Sequence, residues 1–297
     1  MGNLKAAPDT NLSIRLIPFD FDQVKAPIWN TQHPEWSHMV NGASLAMPYL
    51  EPFLIRNMRE ASKYIKSEQL KGDVRGFIAQ EGQHYQNHRK YNEMLKANGY
   101  PDLADVEDLM TEGYKKLQER SLKWKLAYTA GFETMTLGVT DFLIDNRQLL
   151  FKDADPIVTS LILWHFVEET EHKNVAFDLY TEVFPKQYLS RIRGIFASSY
   201  HLMKMSRQGY VKMLKRDGKW KNLKSRFRLY KMVALFFINV MPALIRAMHP
   251  NFHPSKYQDP KWVKNWSAAY SNLNDDELPL LNTSIPDIPP QFITEKA

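Results

Sequence analysis

The sequence predicts an all-α protein, and three observations carry that expectation. Helix-forming residues dominate the stretch from about 50 to 250, where Pro is rare. Gly is scarce, at 12 of 297 residues, and many of the 17 Pro cluster toward the two ends. No run of alternating apolar and polar residues bounded by hairpin turns occurs along the chain.

Taken in order, residues 1–45 read as an irregular N-terminal arm. Pro8, Pro18, Pro27 and Pro34 punctuate it, and Trp29 and Trp36 anchor it. Helices are expected at 52–66 and 68–98, the second stopped by Asn98-Gly99-Tyr100-Pro101. The next two run over 120–150 and 156–183. Asp155-Pro156 opens the second of these, with Pro at the first helical position, and Phe184-Pro185 closes it. Two further helices follow at 187–216 and 221–248. Residues 251–297 form a Pro-rich C-terminal tail, its last fifteen or so loose.

Composition excludes several classes of function. The chain contains no Cys, so thiolate metal sites, Fe–S clusters, disulfides and Cys nucleophiles are absent. Its apolar and charged fractions, 44% and 24%, are those of a globular protein. The N-terminus lacks an apolar core of signal-peptide length. Gly2 is not followed by the Ser or Thr that myristoylation prefers, because Ala6 stands there. No stretch reaches about 18 uninterrupted apolar residues, so no spanning helix is expected. These features give a cytoplasmic expectation.

The chemistry lies in a repeated pattern. Glu81 and His84 form a Glu-x-x-His motif in the second expected helix, and Glu169 and His172 form another in the fourth. Residues three apart share a helix face, so each pair can reach one point. A single Glu precedes each motif by about one helix: Glu51, 30 residues before Glu81, and Glu133, 36 before Glu169. Four inward-facing helices would then join four carboxylates and two imidazoles, a ligand set for two metal ions. Oxygen and imidazole donors suit Fe, Mn or Zn. The alternative is a set of solvated polar faces, but apolar neighbours such as Phe77, Trp164 and Val167 favour burial.

His165 lies on the same stripe as Glu169 and His172, as a third imidazole ligand or as a hydrogen-bonding partner of a ligand carboxylate. His88 is expected to support the ligands, as is Glu168, which sits just off the stripe with Glu171. Asp141, Asp145 and Asp178 read as surface groups. Glu51, before Pro52, is expected to open its helix, and Glu60 is its nearest rival.

The six-ligand pattern resembles the ferritin-like di-iron carboxylate proteins. The wording of Leu50–Arg56, of Phe77–His84 with His88 and Tyr91-Asn92, of Trp164–His172 and of Asn251–Pro254 resembles the bacterial predicted metal-dependent hydrolases. The His-x-x-x-Glu-x-x-His helix is similar to that of arylamine N-oxygenases, which implies a ligand role for His165. The resemblance implies a ferritin-like four-helix bundle over 46–185, extended by a basic helix and an apolar helix at 186–250.

Three readings of function follow. The first is a di-iron, O2-activating oxygenase or oxidoreductase that acts on a small lipophilic or amine substrate and draws on an external electron donor. The second is a metal-dependent hydrolase using an activated water. The third is a non-catalytic metal-binding or membrane-surface protein. Lys186 to Lys231 carries 14 Lys and Arg against one acid, Asp217, although the net charge of the whole chain is only +6. Basic then apolar sequence fits peripheral membrane contact through 186–248 better than nucleic acid, beside the plain reading of a solvated helix next to a buried one. A homodimer is the default assembly.

Overall fold

The computed structural model describes residues 12–274, 277–286 and 290–293. The reading of Gly2 and parts of the expected tail fall outside these. The fold is all-α: no strand occurs among the described residues, and Leu281 and Phe292 make one isolated antiparallel bridge.

Helix α1 spans Pro34–Ser44 and α2 spans Met47–Ala61. Ser67 caps α3 (Glu68–Ala97), accepting from the Leu70 N–H, and Gly99 at φ +116° follows its end. Helix α4 is Ala104–Gln118. Ser121 caps α5 (Leu122–Asp145), which short α6 (Arg147–Phe151) follows. Asp155 caps α7 (Pro156–His172) through the Ile157 and Val158 N–H groups, and α8 (Val175–Val183) resumes after a break at Lys173-Asn174. Long helices α9 (Tyr188–Arg216) and α10 (Leu223–Ala247) come next, then α11 (Lys261–Tyr270).

Helices α2, α3, α7 and α5 pack in a closed ring, each against two of the others. Helices α5 and α7 are buried almost all round. Helix α9 lies along α5 and α1, and α10 along the same two. Gly131 and Gly194 let α5 and α9 meet backbone to backbone: a Cβ on Gly194 would stand 1.9 Å from the Ala127 carbonyl oxygen.

Several expectations are corrected. The arm over 1–45 is not wholly irregular, because Pro34 opens α1 rather than breaking the chain. Trp29 and Trp36 are buried anchors as expected. Helix α2 starts at Met47 with Pro48 in its first turn, so Glu51 lies inside the helix and does not open it. The helix expected over 120–150 ends at Asp145 before α6, and that over 156–183 breaks after His172, the last residue of α7. Helices α4 and α11 were not expected. The described part of the tail is packed: Leu281 and Thr283 are buried, and the Thr283 hydroxyl donates to the Ala154 carbonyl at 2.7 Å. Helix α10 is long and apolar enough, by length and composition, to cross a membrane, despite the Lys and Arg in its first turns.

Candidate metal centre

Each helix of the ring sends acceptors inward: Glu51 from α2, Glu81 and His84 from α3, Glu133 from α5, and His165, Glu169 and His172 from α7. All are buried. Every group of metal-donor residues found among the described residues draws on these seven and His88.

Two clusters emerge, and they share members. In one, His172 Nε2 lies 3.5 Å from Glu81 Oε1, 3.3 Å from Glu133 Oε2 and 3.5 Å from Glu169 Oε2. In the other, His84 Nδ1 lies 4.0 Å from Glu81 Oε2 and 3.8 Å from Glu169 Oε1. His165 Nε2 lies 3.0 Å from that same Glu169 oxygen and 3.7 Å from Glu51 Oε1. Glu81 and Glu169 thus turn one oxygen to each cluster.

The fit to cations shows in which atoms lack hydrogen-bond partners. Both oxygens of Glu51, Glu81 and Glu133, together with Glu169 Oε2, His84 Nδ1 and His172 Nε2, have none. Orphaned buried acceptors in this number are costly unless a cation satisfies them. Donors held about 2.1 Å from one ion at right angles sit about 3 Å apart, close to the spacings here. With neutral imidazoles the four carboxylates carry a charge that two divalent ions balance.

The outward atoms of the imidazoles are all engaged. His84 Nε2 shares a 3.0 Å hydrogen bond with Glu168 Oε2, leaving Nδ1 to face inward. Gln80 donates its amide to the Ser13 carbonyl and Glu171, so its Oε1 accepts from His172 Nδ1–H at 3.0 Å. Arg15 joins these two supports, donating to Glu168 at 3.0 Å and to Glu171 at 2.8 and 2.6 Å. Its guanidinium also lies over the Trp266 and Tyr270 rings of α11.

A second chain fixes His165. Asn92 donates to the Ser44 carbonyl, so its Oδ1 accepts the Ser44 hydroxyl at 2.8 Å. Ser44 Oγ therefore accepts from His88 Nδ1–H at 2.9 Å, and His88 Nε2 accepts from His165 Nδ1–H at 2.8 Å. For neutral rings this leaves the His165 Nε2 lone pair aimed at Glu169 and Glu51. Both His88 nitrogens are hydrogen-bonded, so its ring has no lone pair left to offer a cation.

Burial sets the electrostatics. It pushes Glu51 and Glu81 well above the usual carboxylate value, with neighbouring carboxylates adding to the effect, and raises Glu133 to about 8. Burial also raises Glu168 to about 8, against the pull of Arg15. His84 is driven well below its ordinary value by burial.

The other acids named from sequence stand apart. Glu60 pairs with Lys125 at 2.6 Å, Asp141 accepts the Tyr257 hydroxyl, and Asp178 pairs with His253 at 2.7 Å. Glu171, set beside Glu168 as an off-stripe acid, is a partner of Arg15. Sequence reasoning missed Arg15 and gave no role to Gln80. Arg15 is a lone cation in an irregular segment, and only its burial beside two Glu reveals it.

A cavity of about 440 Å³ reaches this centre. His165 and His88 stand in its wall, beside Phe132, Met135 and Ser44. Its other walls come from α1, α9 and α10, among them Leu202, Phe236 and Phe237.

An all-α protein with a buried carboxylate–imidazole centre of this kind is one built to depend on metal. The chain belongs to the predicted metal-dependent hydrolase family, whose model matches residues 13–258. No curated protein and no solved structure matches the chain significantly. The family's description favours hydrolysis over the oxygenase chemistry expected first from the ligand pattern.

Proposed function

We propose that this protein is a metal-dependent hydrolase with a dinuclear centre, acting on a lipophilic ester or amide. The observation that carries the reading is that Glu81 and Glu169 serve both donor clusters, beside a largely apolar cavity that His165 lines. Glu133 and His172 complete one metal site, and Glu51, His84 and His165 the other. Metal there supplies Lewis acidity and lowers the pKa of water toward neutrality.

The chain's own residues do the rest. Glu168 and Gln80 orient His84 and His172 and keep their outward nitrogens occupied. The His88–Ser44–Asn92 chain holds a proton at His165 Nδ1 and keeps Nε2 free. Phe132, Met135 and Phe236 exclude bulk water and place the apolar part of the substrate. Its scissile carbonyl then lies beside His165.

A second reading, a di-iron oxygenase fed by an external electron donor, draws support from the donor set, which is rich in carboxylates. One experiment separates the two. Protein loaded with Zn(II), Mn(II) or Fe(II) is given p-nitrophenyl esters of graded chain length, with and without O2. Hydrolysis by the Zn(II) or Mn(II) form without O2, lost in Glu81→Ala, is the expected result. No hydrolysis with any metal, together with O2 uptake by the Fe(II) form alone, would replace it with the oxygenase reading.

A further inference from the structure

Helix α10 has two unlike faces. Its inner stripe, Leu229, Met232, Val240, Ala243 and Ala247, is buried. A Cβ on Gly138 of α5 would stand 2.9 Å from Ala243 Cβ, so the helix is seated firmly on the body of the protein. Its outer stripe is apolar and exposed. Leu223 is 77% exposed, Phe227 72%, Ile238 71% and Ile245 58%, and they recur at helical spacing with Ala234 between them.

The surroundings are basic. Lys224 and Lys231 flank the outer stripe on α10, and Arg193, Lys204 and Arg207 are exposed on α9. The cavity opens at the same surface: of the residues in its wall, Arg207 on α9 and Tyr230 and Phe237 on α10 are exposed. An apolar ridge with cations at its edge matches the boundary between acyl chains and anionic headgroups. A second copy of this chain would oppose cations to cations. Nucleic acid has no counterpart for exposed Ile238 and Ile245.

We propose that the outer face of α10, with the basic side of α9, docks on an anionic bilayer, and that the cavity takes its substrate, an amphipath bearing an acyl chain, from that bilayer. The substrate part rests on the hydrolase reading; the docking part does not.

The test uses the full chain, metal-free, with phosphatidylcholine vesicles that contain or lack phosphatidylglycerol. Co-sedimentation with the anionic vesicles, weakened by salt, is expected. Lys224→Gln with Lys231→Gln should weaken it by roughly fivefold per cation removed. Phe227→Asp with Ile238→Asp should abolish it while the helical circular dichroism is kept. In the metal-loaded protein the same variants should lose hydrolysis of vesicle-borne long-chain esters and keep that of soluble short-chain ones. No binding by the folded wild type, or equal binding to neutral and anionic vesicles, overturns the proposal. So does a dimer in solution that Ile238→Asp dissolves, since a second copy would then cover the face. Vesicle binding without hydrolysis by any metal form would leave docking standing and sink the hydrolase reading alone.

Discussion

Glu81 and Glu169 differ from the other acids of the centre because each turns an oxygen to both clusters. Glu81→Ala should therefore cost both metals, leaving less than one per chain by elemental analysis, whereas Glu133→Ala should keep the ion on the Glu51 side. Equal stoichiometry in the two variants would contradict a shared carboxylate. Gln80 acts at one remove. Gln80→Leu takes the acceptor from His172 Nδ1–H and frees the ring to turn, and metal affinity should fall about 10- to 100-fold by competition with a chelator. Gln80→Glu restores an acceptor and should recover part of it.

Among the elements, α5 and α9 are the most intimately joined, through Gly131 and Gly194. A methyl at residue 194 would meet backbone, which cannot swing aside. Gly194→Ala should destabilise by about 3 kcal/mol or more, read as a lower urea midpoint. Because α5 carries Glu133, the same variant should loosen metal binding. How far such elements could be read beforehand varied with the kind of signal. Helices α3 and α7 and the buried, inward-facing Glu and His on them were legible, since a Glu-x-x-His repeat and capping residues are local features. Helix α4 was missed although Val106, Met110 and Tyr114 recur every four residues, because charged residues surround that narrow stripe. Helix α1 was missed because Pro34 read as punctuation of an irregular arm and Trp36 as an anchor of it. The partners of the centre were invisible for another reason. Arg15, Gln80 and Glu171 meet only through tertiary packing, and no spacing along the chain encodes that.

At the scale of the whole molecule, the centre links stability to pH. A carboxyl with a raised folded pKa keeps its proton longer than it would in the unfolded chain. Between about 4.5 and 8, Glu133 holds in the metal-free fold a proton that the unfolded chain has released, so the contribution of this carboxyl to stability falls as pH rises. Metal takes the place of those protons and binds more tightly at higher pH. The gap in Tm between metal-loaded and metal-free protein should widen from about pH 5 to pH 8, with about 2.7 kcal/mol gained when free metal exceeds its Kd a hundredfold. Parallel Tm curves for the two forms would argue against carboxylates as the ligands.

Arg15 also works as a clasp between distant stretches of chain. The segment before α1 and helix α11 are far apart in sequence, yet the guanidinium rests over the Trp266 and Tyr270 rings of α11 while it donates to Glu168 and Glu171 of α7. Whatever loosens α11 therefore also loosens the cation that steadies the acids behind His84 and His172.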